Sequence, residues 1–179
     1  VLCLGAATVD VFLDSTVPLS TVELGDKVLI DSVERHSGGG GTNTAAGLSK
    51  LGLNVKVLCK LGDDHDGEFI EKDLRKYNVK NICKNKSRKN TNFSAILSSG
   101  GDRIIYAYKG ASNDLSMGDF KLSQLNTRWI YLATLMGKSF QTGKKVAEYA
   151  HKNNINLFFN PSQYLAAKGK KYLRSILKA

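Results

Sequence analysis

Four consecutive glycines, Gly38 to Gly41, separate a stretch that reads as strand from one that reads as helix, and this run constrains the fold more than any other feature. Successive glycines let the backbone approach a ligand closely, and the N-terminus of a following helix offers unpaired N–H groups to oxygen ligands. A tight strand-to-helix turn without a ligand needs one or two glycines, not four. The helix covers residues 42–51, where Ala45, Ala46, Leu48 and Leu51 suit close packing on a sheet and Gly52 stands where a helix ends. Two nucleotide-binding loops are excluded. A Walker loop needs Lys and then Ser or Thr after its last glycine, whereas Thr42 and Asn43 follow Gly41. A dinucleotide fingerprint belongs after the first strand, which here runs into Ala6, Ala7 and Thr8, and Thr44 takes the place of its third glycine.

The rest of the chain reads as alternating strands and helices. Residues 1–5 form a short apolar run, as expected of a strand buried on both faces. Strands are also predicted over 28–35, 55–61, 129–133 and 155–159, and 93–98 with 103–109 flank Ser99, Gly100, Gly101 and Asp102 as a β-hairpin. Asp63, Asp64 and Asp66 open a helix whose apolar residues Phe69, Ile70, Leu74 and Tyr77 share one face. Further helices are predicted over 141–153 and 168–177. Strand, helix and strand in succession imply a parallel sheet, with either 1–5 or 28–35 as the strand paired through the first helix to 55–61. The last helix carries the stripe Tyr172, Leu173, Ile176 and Leu177, and no strand follows it before Ala179, so a truncated chain is expected.

Composition narrows the class. With 179 residues, 42% apolar and 23% charged, the chain holds enough apolar side chain for one soluble globular domain, which excludes disorder, collagen and coiled coil. The apolar stretch 1–9 is stopped by Asp10 and is too short to cross a bilayer, so a cytoplasmic protein is expected. Cys3, Cys59 and Cys83 are odd in number and far apart, which suits reduced core thiols rather than disulfides or zinc. The net charge of +10 is unevenly divided: residues 1–75 carry 7 Lys+Arg against 12 Asp+Glu, and residues 76–179 carry 19 against 4. The basic clusters around Lys84 to Lys89 and Lys168 to Lys171 have no interleaved stacking aromatics, so a solvated face is favoured over a nucleic-acid track.

Two polar residues stand out beside the glycines. Asn43, just inside the helix, is a poor helix former whose amide can both donate to and accept from a hydroxylated ligand. Asp10 follows the first strand, at the carboxyl end where open α/β sheets bind ligands, and its carboxylate can accept two hydroxyl protons from a polyol.

Taken together, the segment 5–10 ending in Asp10, Ser37-Gly-Gly-Gly-Gly-Thr-Asn-Thr-Ala45, Leu48-Ser-Lys-Leu-Gly52 and Gly62-Asp-Asp-His-Asp-Gly67 resemble the N-terminal half of the ribokinase-like, or pfkB, carbohydrate kinases. Gly110-Ala111-Ser112-Asn113 is similar to the family's segment after its lid hairpin. The resemblance implies an α/β ribokinase-like fold: a mostly parallel sheet flanked by helices, with 1–179 as the N-terminal part of one domain. Segments of about 12–35 and 91–109 would form a small β-lid. It implies ATP-dependent transfer of a phosphoryl group to a hydroxymethyl of a sugar or nucleoside, with ATP and magnesium as cofactors. Asp10, Gly39, Gly40, Asn43 and Thr8 would bind the acceptor, and Asn160 would lie under the phosphate path.

The chain also departs from the family pattern. Thr8 stands where many sugar kinases have asparagine, and Gly40 where ribokinases proper have lysine, so the acceptor need not be ribose. The family's catalytic aspartate and its magnesium-organising segment have no counterpart, so no catalytic residue and no metal ligand is expected within these residues; the base is expected beyond Ala179. His36, His65 and His151 receive no catalytic role from the resemblance. A homodimer formed through the lid is expected, with neither nucleic acid nor membrane as partner. The competing readings are a non-catalytic sugar-binding or regulatory module of the same fold, and a basic nucleic-acid-binding protein.

Overall fold

The apolar run at the start becomes β1 (Leu2–Leu4), the middle strand of a five-stranded sheet in the computed structural model, which describes residues 1–179. The chain leaves this sheet at once for β2 (Thr8–Asp14) and β3 (Ser32–Gly38), and returns through α1 (Gly40–Lys50) to β4 (Lys56–Leu58). After α2 (His65–Lys76) and β5 (Lys80–Asn81) it leaves again as β6 (Asn92–Ser99) and β7 (Asp102–Tyr108). It finishes with β8 (Trp129–Ala133), α3 (Gly137–Lys152), β9 (Asn156–Asn160), α4 (Gln163–Ala166) and α5 (Gly169–Leu177). The large sheet has the order β5-β4-β1-β8-β9, with every pair parallel. The small sheet has the order β3-β2-β6-β7.

Strand alternation divides the core into two layers. Leu2, Leu4, Ile130 and Leu132 point to the side of α3 and α5, where they join Phe140, Val146 and Leu173. Cys3 and Val57 point to the other side, against Ala45 of α1 and Ile70 and Leu74 of α2. Full burial of a residue such as Leu4 or Ile130 stabilises the fold by about 1.5–3 kcal/mol. Burial pushes the Cys59 thiol up and the Cys3 thiol up to about 12, so both stay protonated and inert, as expected of core thiols.

Two carboxylates tie the connections down. Asp64 caps α2 by accepting from Gly67 N at 2.8 Å, and it also accepts from Thr91 N and Thr91 Oγ1, each at 2.7 Å. The start of α2 is thereby fixed to the segment entering β6. Burial alone would raise this carboxyl, but the hydrogen bonds from Thr91 and Gly67 outweigh it and hold it below the usual carboxylate range. Asp119 is buried against Lys60, with Nζ to Oδ1 at 2.7 Å, and hydrogen bonds from Ser116 complete the pair. No helix is long and apolar enough to cross a membrane. Among the basic residues, Lys76, Lys86 and Lys89 are paired with Asp73, Glu71 and Asp114.

Two expectations need correction. The strand predicted over 28–35 begins only at Ser32 and lies antiparallel to β2 in the small sheet. Its apolar residues Leu29 and Ile30 are exposed, so the apolar run there reflects a projecting loop and not a buried strand. Strand 1–5 is therefore the parallel partner of β4. The second correction concerns Asp10, expected just past the first strand: residues 8–14 form a strand of their own, and Asp10 sits within β2, opposite His36.

Asp64→Ala is expected to cost about 1–2 kcal/mol, read as a lower urea midpoint at unchanged slope. Because the native carboxyl titrates below its unfolded value, this contribution is fully present above about pH 4 and disappears as pH falls through the lower native value. The difference between wild type and variant should therefore shrink in acid.

Candidate functional site

All four strands of the small sheet have one end at the large sheet. Register places Gly38, Thr8 and Asn92 side by side across β3, β2 and β6. Tyr108 pairs with Phe93, so Lys109, the next residue, stands opposite Asn92 and completes this base row. Two residues along each strand, past Ser37, Val9 and Phe93 on the opposite face, the next row on this face holds His36, Asp10 and Ser94. Partners across a strand pair share a face, so both rows look the same way.

The glycine run lets this row meet the large sheet. A Cβ on Gly41 would lie 2.9 Å from Gly5 Cα, so the start of α1 rests directly on the chain leaving β1, and Gly41 N donates to Ala6 O at 3.1 Å. Gly39 has a φ of 105°, and its Cβ would be 2.4 Å from Ala6 O. A side chain at Gly38 would run into the Asp10 carboxylate. Gly40 differs: its Cβ would touch only Ala133 Cβ, at 3.1 Å, and the residue is exposed at the start of α1.

A cleft of about 310 Å³ lies here, at the carboxyl ends of β1, β8 and β9. The chain builds outward from β1 in both directions, to β4 and to β8, so the cleft occupies the topological switch point of the sheet, where open α/β folds bind ligands. Thr8, Gly39, Gly40 and Asn160 line it. Asp10 stands in the next row, outside the lining. Asn43 is exposed on the first turn of α1 and lines no part of the cleft. Asn160 Nδ2 donates to Tyr131 Oη at 2.9 Å, across the cleft wall.

The cleft also holds polar groups that the sequence did not single out. Three buried side-chain atoms have no hydrogen-bond partner, Thr8 Oγ1, Asn92 Nδ2 and Ser162 Oγ, and all three residues line it. A buried polar group left unpaired costs about 1–3 kcal/mol, so the cleft is built to receive oxygen or nitrogen atoms. Lys109 is the one charged residue of the lining. Asn92 and Lys109 read as ordinary strand ends in the sequence; only the pairing of β6 with β2 and β7 places them beside Thr8. The donor set does not suit a divalent cation, which takes carboxylate oxygens, and no three His, Cys, Asp or Glu side chains come together in a metal-holding group.

Comparison with known proteins agrees with this architecture. The model of the pfkB family of carbohydrate kinases matches residues 1–177. A ribokinase from Bacillus subtilis (strain 168) is 28% identical over 141 residues, covering 77% of this chain and 48% of the relative. The crystal structure of the nucleoside kinase of Methanocaldococcus jannaschii, an archaeal member of the ribokinase family, is similar with a TM-score of 0.76 at 24% identity, covering 99% of this chain and 57% of that one. Ribokinase from Arabidopsis thaliana, complexed with ribose and ATP, is similar with a TM-score of 0.70 at 20% identity, covering 88% of this chain and 52% of that one. The chain spans about half the length of the curated relatives it matches.

The glycines make separable demands. Gly39→Ala is expected to destabilise the chain by roughly 1–3 kcal/mol or more, because positive φ and contact with Ala6 O leave the Cβ no room. Gly40→Ala should stay within about 1 kcal/mol of wild type, since crowding at Ala133 is offset by the better helix propensity of alanine. Thermal or urea unfolding of the two variants checks the order.

Proposed function

Since the chain belongs to the pfkB family of carbohydrate kinases, we propose that its cleft is the acceptor site of an ATP-dependent sugar or nucleoside kinase and that the small sheet is the lid over it. The observation that carries this reading is convergence: Thr8, the pair Gly39 and Gly40, and Asn160, drawn from three separate parts of the chain, line one cleft at the switch point. Asp10 would accept hydroxyl protons of the acceptor from its place above Gly38, and the open first turn of α1 would donate N–H groups to acceptor oxygens. Asn43 would join them from the exposed side of that turn once an acceptor is present.

In phosphoryl transfer the acceptor hydroxymethyl oxygen forms a bond to the γ-phosphorus, the bond from that phosphorus to the ADP oxygen breaks, and the hydroxyl proton passes to a base. The cleft lining contains neither a carboxylate nor a histidine. These residues therefore hold and orient the acceptor and exclude water, while the base and most contacts to ATP would come from sequence outside residues 1–179. ATP supplies the phosphoryl group when bound, and Asn160 lies on the side of the cleft where its phosphates would approach. The residues do not fit magnesium, and no step is assigned to it.

Asp10→Asn in the full-length protein should weaken acceptor binding by about 10- to 100-fold, the loss of one or two charge-assisted hydrogen bonds, with the fold unchanged. Calorimetric titration measures it, and unchanged affinity removes Asp10 from the site. The 179-residue chain alone should form no sugar phosphate from ATP, whereas the full-length protein should. Turnover by the short chain would place a base among its own residues.

The lid also offers a partner surface. Its edge strands β3 and β7 carry exposed Val33, Ile104, Tyr106 and Tyr108, and an unpaired apolar edge invites a second copy. We propose a homodimer formed through these edges. Light scattering should give twice the chain mass, and Tyr106→Asp should shift it toward one; a monomeric mass for wild type at high concentration counts against the dimer.

A further inference from the structure

We propose that Tyr131 is a positioning residue of the cleft, whose hydroxyl holds the side-chain amide of Asn160 in the orientation in which it meets the substrates. The inference rests on the kinase reading above and adds to it a residue of β8, outside the glycine run and the small sheet.

The two strands β8 and β9 run parallel, with Tyr131 paired to Phe158 and Ala133 to Asn160. Asn160 is thus the diagonal neighbour of Tyr131 on one face of the sheet, a separation that a long aromatic side chain can span. Ala133, directly beside Asn160, ends at its Cβ and offers the amide no polar partner. The phenol reaches past it, and Asn160 Nδ2 donates to Tyr131 Oη at 2.9 Å. This is the one side-chain hydrogen bond that either residue makes.

The ring and the hydroxyl of Tyr131 serve different surroundings. The ring stacks on Phe158, with centroids 5.7 Å apart and planes inclined by 16°, and it borders an apolar groove of about 800 Å³ together with Leu48, Leu53 and Trp129. A phenylalanine would fill that place equally well, so packing does not account for the oxygen. Tyr131 also lines the cleft, as Asn160 does, and the hydroxyl is the group that joins the two. Tyrosine suits such a boundary because one end of it is apolar and the other polar.

Asn160 depends on this hold. It is the last residue of β9, it is exposed, and Pro161 follows it. Strand pairing and the proline fix its backbone as extended, but they leave its side-chain torsions open, and the terminal torsion of asparagine has a broad minimum. With one N–H on Tyr131 Oη, its Oδ1 and second N–H are presented to a ligand in a set direction. Groups held this way before the reaction need no reorientation during it, and a small misplacement of them lowers the rate.

The test is a double-mutant cycle in the full-length protein, assayed for ATP-dependent phosphorylation of a panel of sugars and nucleosides as wild type, Tyr131→Phe, Asn160→Ala and the double variant. Tyr131→Phe should lower kcat/KM for the acceptor that is turned over by about 3- to 10-fold, the size of one lost hydrogen bond, with an unchanged urea midpoint because the stacked ring is kept. In the Asn160→Ala background the same substitution should have no further effect. Nuclear magnetic resonance supplies a readout that does not depend on turnover: the Asn160 Nδ2 proton resonances, identified by their absence from Asn160→Ala, should move in Tyr131→Phe and exchange faster with water. Full activity of Tyr131→Phe, an equal loss in both backgrounds, or unmoved resonances each overturns the proposal. If the full-length protein phosphorylates no acceptor while the resonances move, the kinase reading falls and the hold of Tyr131 on Asn160 stands; if it phosphorylates one and the losses add, the kinase reading stands and the role of Tyr131 falls.

Discussion

Everything at the site depends on the close approach between the start of α1 and the chain leaving β1. Gly41 rests on Gly5 with no side chain between them, and the bond from Gly41 N to Ala6 O locks the contact. This single crossing fixes the first turn of α1 relative to β1, sets the point where β2 departs, and leaves the cleft between α1 and the end of β8. A methyl group at either position would push α1 outward and separate the two sheets at their junction.

The connections keep the small sheet in register with that junction. Asp64 holds the start of α2 to Thr91, immediately before Asn92, so the helix and the base row are positioned together. On the outer face of β3, Arg35 pairs with Asp66 and lies over the Phe69 ring, bracing the lower half of the sheet against α2. Lys60 and Asp119 fasten the end of β4 to the loop preceding β8. Removing one member of that buried pair would leave the other charged and unpaired, which costs far more than a surface ion pair.

Much of the large sheet was legible because its signals are local. The strand 129–133 is legible to the residue and the helices over 65–76 and 169–177 within a few positions, since their apolar faces, and the acidic start of the first helix, lie in the segments themselves. The small sheet was less legible. Residues 8–14 carry only a short alternation that merges with the preceding strand, and what makes them a strand is pairing with 32–38 and 92–98, far away in sequence. The site divides the same way. The glycines and Asp10 announced themselves by type and spacing, whereas Asn92 and Lys109 acquire meaning only from register, and Asn43, conspicuous in sequence, turned out to stand away from the cleft lining.

The base row has a mechanical consequence. All four strands of the small sheet begin or end there, while their far ends carry only the loop 15–31 and the turn at Gly100 and Gly101. The sheet is thus a cantilever. Seven residues of strand extend about 23 Å, so a rotation of roughly 10° about the row would sweep the tips through about 4 Å. A shift at Thr8, Asn92 and Lys109 would act on the short arm of this lever, and the exposed Leu24 and Leu29 stand on the long one.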